Sequence, residues 1–537
     1  MKGLTSVVIC ALLILACATA GLSATIYVKW DSPTDGPGTT WGNAYHTIQQ
    51  GLNAAGNGDI VQVAGPHTYA EDIVMTTTGV TLLSADRTAV ISGGTAKSPI
   101  VRMSATSIID GFTISGGRTG IRCTAGNPNI VNCTLSGMSI RGIEALVGVQ
   151  VHGNIIKDVS PCTQGGAGIL LVGTGQSMIA SNLIMNNHTA TNGAGIAISS
   201  GENHSFIVNN TFIGNSATGD GGAIITDYLF IYLKNNIFVG NSATNGSCIY
   251  LRNLLGTGDI AYNTFYSNGT NQFYPAPWYI IGYDNNNDDN PMFVGSYRLQ
   301  PESTCVNTGD NAYVFFNWTD LMGLPRKLAG IVDRGCYEGA SVPINTKVVG
   351  DWVELRDKSV TGMFGSFGYI EEPNRVSGIR ILPLNNALPI SGLTTTVAGQ
   401  IVMSGNDLAI QPVYYGSQGA GSVKPLGMPN KSLGVLNQGL YVRVWGKVTD
   451  SGCGYFSLTD GSGTSVLVFL AGQTYAVDDY VVVTGVHASN GIYATTVAYY
   501  MTVEERAASA TTPSPRRLDA PKPPTIEELI AMRARKR

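Results

Sequence analysis

A short phrase recurs at near-constant spacing between residues 112 and 263, and it constrains this chain more than any other feature. It reads GFTISG at 111–116, NCTLSG at 132–137, GNIIKD at 153–158, SNLIMN at 181–186, NNTFIG at 209–214, KNNIFVG at 234–240 and YNTFYSN at 262–268. With Phe112, Cys133, Asn154, Asn182, Asn210, Asn236 and Asn263 as anchors, the steps are 21, 21, 28, 28, 26 and 27 residues. A second phrase runs in step: GGAGIL (165–170), GAGIAI (193–198), GGAIIT (221–226) and GSCIYL (246–251). Self-similarity at this period marks a solenoid, because one such unit cannot bury its apolar face alone.

Each period holds two or three short runs of Ile, Val, Phe and Leu with two-residue alternation, separated by Gly, Asn, Ser and Thr. That pattern favours strands and turns over helices. A leucine-rich repeat would need a regular leucine framework, and a helical repeat would need apolar residues at 3.6 spacing; the chain has neither. The expected fold class is all-β: a right-handed parallel β-helix followed by two small OB-like β-barrels. Coils about 4.8 Å apart make roughly ten of them a rod on the order of 50 Å long. The column Asn182, Asn210, Asn236, Asn263 is expected at a bend, where side-chain amides bond from coil to coil and satisfy buried backbone groups.

These residues resemble the pectin-lyase-like β-helix superfamily. Gly222-Ala223-Ile224 after Gly221, with Phe212–Asn215, Phe238–Asn241 and Phe265–Asn268, is also similar to the GGAI and FxxN repeats of polymorphic outer-membrane adhesins. That second likeness covers about three coils and reads as a shared way of building a coil. The segment from Trp41 to Ile73 resembles the first coil of secreted bacterial β-helix proteins. Asn290-Pro291-Met292-Phe293, Tyr297-Arg298-Leu299, 303–309 and Val332-Asp333-Arg334-Gly335-Cys336-Tyr337-Glu338 resemble the closing segment of the choice-of-anchor group. Where that pattern carries Asp, this chain has Asn290 and Asn307.

At 537 residues more than one domain is expected. The boundaries read as a signal peptide at 1–24, the β-helix with both caps at 25–340, OB-like domains at 341–429 and 430–506, and a Pro-rich linker with a basic tail at 507–537. Lys2, the apolar stretch 7–16 and the Ala18-Thr19-Ala20 or Leu22-Ser23-Ala24 cleavage sites make an export signal, so a secreted or cell-surface location is expected. Ile14-Leu15-Ala16-Cys17 resembles a lipoprotein box, although Leu15 departs from its small residue, and ordinary secretion is the reading taken. Residues 44–55 carry Ala44, Ile48 and Leu52 at helical spacing and are expected to plug the open end of the solenoid. From 341 onward a different repeat begins. Val360-Thr361-Gly362, Phe367–Glu371 and Gly378–Ile381 parallel Val448-Thr449-Asp450, Tyr455–Thr459 and Ser465–Val468, and LYVRVWGKVT at 440–449 resembles OB-like modules of exported bacterial proteins.

Only 13% of residues are charged and the net charge is −4, so no broad basic field attracts nucleic acid. Residues 430–505 hold Lys431, Arg443 and Lys447 against Asp450, Asp460, Asp478, Asp479, Glu504 and Glu505, a balance of 3 − 6 = −3, where a nucleic-acid-binding barrel needs a positive groove. Of nine cysteines, two lie in the signal. Cys305 and Cys336 are expected to form a disulfide closing a loop of about 30 residues, and Cys123, Cys133, Cys162, Cys248 and Cys453 to be buried thiols.

β-helix lyases and hydrolases work in a groove along one sheet, using acids, often with calcium, and Arg or Lys as base, or carboxylate pairs. The candidates here are few. Counted from Ile224 and Ile249, Asp227 and Arg252 fall at the same offset on adjacent coils, with Glu202 and His204 one coil earlier. They are catalytic candidates as a patch of acid, base and cation; the competing reading is a surface salt bridge among unrelated neighbours. Asp284, Asn286 and Asp288 resemble the first half of a calcium loop, but Asp289 stands where its Gly belongs and no bidentate Glu follows, so a polar turn entering the cap competes. His46, His67, His152 and His188 read as coil-surface or turn residues. Tyr228, Tyr232, Tyr250, Tyr274, Trp278 and Tyr279 are placed to stack on sugar rings. The function expected is binding of a polysaccharide or cell-surface partner without catalysis. The alternative is a polysaccharide lyase or glycoside hydrolase acting in the groove.

Overall fold

The computed structural model describes residues 23–93, 98–199, 205–227, 231–252, 259–275, 283–300, 302–314, 318–327, 331–339, 344, 348–416, 419–421, 423–470 and 472–501. The expected signal peptide, Glu202, His204 and the tail beyond 501 lie outside them. The period read from the sequence becomes a parallel β-solenoid of three sheets. Among the described residues, the first sheet has eleven strands, running from Thr25–Val28 to Tyr283–Asp284. The second has nine, from Thr68–Tyr69 to Thr264–Tyr266. The third has nine, from Ile73–Met75 to Phe273–Tyr274. Strands of the solenoid are two to seven residues long, and alternate side chains point into one shared core, Ile130–Val151–Ile179–Ile207–Leu233–Ile260 in the first sheet for instance. In the second sheet the inward column becomes a ring stack: Phe212 lies 4.7 Å from Phe238, and Phe238 4.9 Å from Phe265.

The asparagine column is a continuous ladder. The backbone N–H of Asn154 donates to Asn182 Oδ1, that of Asn182 to Asn210, Asn210 to Asn236, Asn236 to Asn263 and Asn263 to Asn286, each at 2.8–2.9 Å. Each side-chain amide also donates to a carbonyl of an earlier coil, as Asn210 Nδ2 does to Ile179 O at 2.8 Å. The FxxN phrases build a second ladder, Asn187–Asn215–Asn241–Asn268. The glycine phrase has its own reason. Gly193 and Gly221 have φ of +68° and +71°, and a Cβ on Gly195 would stand 2.4 Å from Ala223 O.

The N-terminal plug is shorter than its periodicity suggests. The helix spans Ile48–Ala54 because Thr47 caps it: Thr47 Oγ1 accepts from Gln50 N, and Gln50 Oε1 accepts from Thr47 N. Ile48 and Leu52 seal the core, and Ala44 is buried ahead of the helix. Among the described residues no helix is long and apolar enough to cross a membrane.

Each of the two C-terminal modules carries a six-stranded mixed sheet. In the first, Trp352–Met363 pairs with Gly368–Glu371, that with Gly378–Ile381, that in parallel with Asp407–Tyr415, that with Leu393–Ser404, and Leu393–Ser404 pairs back to Trp352–Met363. The second repeats the circuit through Tyr441–Gly452, Tyr455–Thr459, Ser465–Phe469, Gly491–Met501 and Tyr480–Ala488. The modules are joined by partly buried polar contacts: Tyr441 N donates to Glu371 Oε2, Arg375 Nη2 to Tyr441 O, and Ser489 N to Asp407 Oδ1, all at 2.8 Å.

The expected Cys305–Cys336 disulfide is not formed; both are free, buried thiols. They belong to different packing clusters. Cys305 sits with Ile237 and Leu299, and its Sγ lies 3.3 Å from Thr264 Oγ1. Cys336 packs with Leu183, Met322 and Leu324, and burial pushes its thiol up to about 12. Cys453 is exposed rather than buried.

Candidate functional site

Among the described residues the chain's own closing segment covers the outer face of the second sheet and part of that of the first. On the second sheet, Ile155, Leu183, Met185 and Ile213 pack under Leu321, Met322, Leu324 and Tyr337, with Trp352, Ala398 and Tyr414 of the first module alongside. Further on, Ile237 and Val239 lie under Phe293, Leu299 and Val306. On the first sheet Phe206 and Tyr232 stack at 4.6 Å, but the Tyr313 ring lies over both, at 6.3 and 5.9 Å, and its hydroxyl donates to Asp259.

The third sheet carries an outward row, Leu170, Ala197, Ile225, Tyr250 and Tyr274, paired residue to residue on successive coils. Leu170, Ala197 and Ile225 form a buried apolar cluster joined by Val172 and Tyr250, all from this sheet. The glycine turns wall it closely: a Cβ on Gly193 would stand 2.5 Å from Ile225 Cγ2 and 2.8 Å from Ala197 Cβ. The row opens at its C-terminal end, where the Tyr250 and Tyr274 rings stack at 4.8 Å, 7° from parallel, with Tyr274 47% exposed. That separation is the coil spacing itself, so successive coils present one flat aromatic step.

Charged groups flank the step on both sides. Arg252 Nη1 lies 2.8 Å from Asp227 Oδ1, with the Arg252 side chain 49% exposed. Across the step Asn245 Nδ2 donates to Asp220 Oδ1 at 2.9 Å, and Asp220 N donates to Asn192 Oδ1. Tyr250 feels both flanks: partial burial raises its phenol first, Asp220 and Tyr274 raise it further, and Arg252 pulls it down. Of the four catalytic candidates, Asp227 and Arg252 are therefore brought together on adjacent coils, while Glu202 and His204 lie outside the described residues. An exposed ion pair of this kind stabilises the fold by under about 1 kcal/mol. Its guanidinium and carboxylate suit hydrogen bonding to hydroxyl groups. An arginine held by a carboxylate is a poor general base.

Asn286, one of the calcium candidates, is engaged by the first ladder. Its Oδ1 accepts from Asn263 N and Nδ2, and its own amide donates to Ile260 O, so it is the last rung of the first ladder. Asp284 lies on the strand Tyr283–Asp284 that starts this rung. Among the described residues no group of three or more His, Cys, Asp or Glu side chains is arranged to hold a metal ion. Of the stacking aromatics, Tyr232 is covered, Tyr250 and Tyr274 are paired, and Tyr228, Trp278 and Tyr279 lie outside the described residues.

A buried charge cluster in the closing segment escaped the sequence reading. Arg326 is 1% exposed; its Nη2 lies 3.0 Å from Glu338 Oε1 and donates to the carbonyls of Asp333 and Gly335. Asp320 accepts from the backbone of Met322, Leu324 and Glu338, and Asp333 from Asn307 and Gly339. The motif 332–338 was visible as a family likeness; Asp320 and Arg326 carry no local pattern that ties them to it.

No protein-family model matches the chain, and no curated protein matches it. A solved structure described as Geobacillus virus E2 ORF18 aligns with 86% of this chain and 88% of its own length at 13% identity, with a TM-score of 0.27. So low a score carries no argument about fold or function.

Proposed function

We propose that this protein is a secreted, non-catalytic β-helix protein of the pectin-lyase-like, choice-of-anchor type that binds polysaccharide along its third sheet, with two OB-like modules behind the solenoid. The Tyr250–Tyr274 step carries the reading: two parallel rings on adjacent coils, flanked by Asp227–Arg252 and Asp220–Asn245, on a face that no described residue of the closing segment covers. Flat aromatic surface with hydrogen-bonding groups at its edges suits the apolar face and equatorial hydroxyls of a sugar ring. For the modules, the support is the closed circuit of five strands, first–second–third–fifth–fourth–first, with a parallel third–fifth pair in both. The second module's balance of 3 − 6 = −3 over 430–505 speaks against a nucleic-acid partner.

Affinity electrophoresis through gels containing neutral or acidic polysaccharides tests the proposal. Retardation without product is expected, and Tyr274→Ala should weaken it about 3- to 10-fold, from about 0.5–1.5 kcal/mol of stacking. Release of unsaturated or reducing ends, abolished in Asp227→Ala or Arg252→Ala, would replace binding by the lyase or hydrolase alternative.

A further inference from the structure

A second concave site lies upstream of the tyrosine step, at the turns leading from the third sheet to the first on three successive coils. Gly126 and Asn127 form its first level, Val147, Gly148 and Gln150 its second, and Thr174, Gly175, Gln176 and Met178 its third, around a cleft of about 370 Å³. Its origin is a local lengthening of two strands. The strands Arg141–Val147 and Ile169–Thr174 are seven and six residues long, against three for Ile196–Ile198 on the next coil, and their pairing shifts register between Ala145 and Val147. They run to within two residues of the first sheet, whereas the coil before them turns through five, 124–128, at Gly126.

Backbone contacts fix the walls. A Cβ on Gly148 would stand 2.6 Å from Gln176 O, and one on Gly173 2.1 Å from the Leu146 carbonyl, so only glycine lets these coils close on each other here. Gln150 N donates to Pro128 O and Met178 N to Val149 O, which holds the turns in coil register. The shape is thus built before any ligand arrives.

The chemistry of the lining is uniform. Among the described residues no charged side chain contributes to it; the polar groups are the carboxamides of Asn127, Gln150 and Gln176 and the Thr174 hydroxyl, beside the apolar Val147 and Met178. The three carboxamides are exposed and make no side-chain hydrogen bond within the described protein. Asn129, the register partner of Gln150, also has a buried Oδ1 without a hydrogen-bond partner. Each carboxamide both donates and accepts, as a sugar hydroxyl does. Among the described lining residues a charged ligand would be desolvated with no counter-charge to meet it. The volume lies at the small end of ligand sites, about 300–1,000 Å³.

We infer that this cleft binds a short neutral saccharide segment through Asn127, Gln150 and Gln176, as a site separate from the tyrosine step. It does not depend on the step, and the variants separate the two. Isothermal titration is run on the full chain with a panel of neutral glucan, mannan and galactan oligosaccharides and one oligogalacturonate. At least one neutral member is expected to bind, the Gln150→Ala/Gln176→Ala variant to bind it about 10-fold or more weakly with an unchanged melting temperature, and Tyr274→Ala to leave that affinity within about twofold. Gln176→Glu, which keeps the shape and removes the donor, should weaken the same ligand. The inference is overturned if no neutral member binds, if only the oligogalacturonate binds, or if the double-alanine variant binds as the unaltered protein does. Loss of neutral binding in Tyr274→Ala alone would assign the ligand to the step and likewise overturn the cleft.

Discussion

Asn210 shows how much one side chain does in this fold. It is fully buried; its Oδ1 takes the backbone N–H and the amide of Asn182, while its own amide reaches Ile179 O, Val208 O and Asn236 Oδ1. Asn210→Ala leaves the Asn182 N–H buried without its partner, at about 1–3 kcal/mol, and removes the amide bonds to Ile179 O and Asn236 Oδ1, at about 0.5–1.5 kcal/mol each. Urea denaturation should therefore report a loss of about 2–6 kcal/mol, far above the effect of an exposed substitution. This rung was legible in the sequence because the same residue type returns every 26–28 residues, and a hydrogen-bond ladder needs that identity. Asn286 was not legible as its last member. It sits 23 residues after Asn263 inside a run of Asp and Asn, where the acidic neighbours suggested calcium. Cys305 and Cys336 misled for a related reason: sequence separation says nothing about which side of a sheet a thiol packs against, and these two serve separate apolar clusters.

At the scale of elements, the closing segment is the part most dependent on buried charge. Among the described residues Arg326 is the cation paired with Glu338, and breaking a buried pair from one side costs about 3–5 kcal/mol. Arg326→Met should destabilise the chain by that amount at pH 7.5 and by less at pH 5, where the acids take up protons; thermal unfolding at both values checks it. Burial pushes Asp320 up to about 7 and Asp333 up to about 6, from an ordinary value near 3.9. Their contribution to stability is complete below pH ~4 and is lost as pH rises through 6 to 7. His152, beside Trp318, runs the other way. Burial and Arg326 hold it down at about 4, so its contribution is present above about 6.5 and is lost as pH falls through 4. His152→Phe should remove the opposing slope, so that the melting temperature of the variant falls more steeply than that of the unaltered chain between pH 4.5 and 7. The plug helix gives the opposite lesson in legibility. Its existence followed from Ile48 and Leu52, whereas its start followed from the Thr47–Gln50 capping box, which apolar periodicity does not register.

For the whole molecule, the arrangement of faces matters more than any single motif. The repeat predicts three sheets of equivalent strands, and nothing in it distinguishes their outer sides. The distinction arises from where residues 293–339 and the first module lie: over the second sheet and part of the first. Only once Tyr313 is seen over Phe206 and Tyr232 does the Tyr250–Tyr274 pair stand apart from the other aromatics. The Asp227–Arg252 offset was readable because both follow the same glycine phrase. The neutral cleft was unreadable because it comes from two locally lengthened strands, Arg141–Val147 and Ile169–Thr174, whose pairing shifts register. Hydrogen–deuterium exchange of the full chain, with and without a polysaccharide that retards it in gels, tests the central claim most directly. Protection is expected at 224–227, 249–252 and 273–274 on the third sheet. Protection confined to the first sheet or to the C-terminal modules, with the third sheet unchanged, would contradict it.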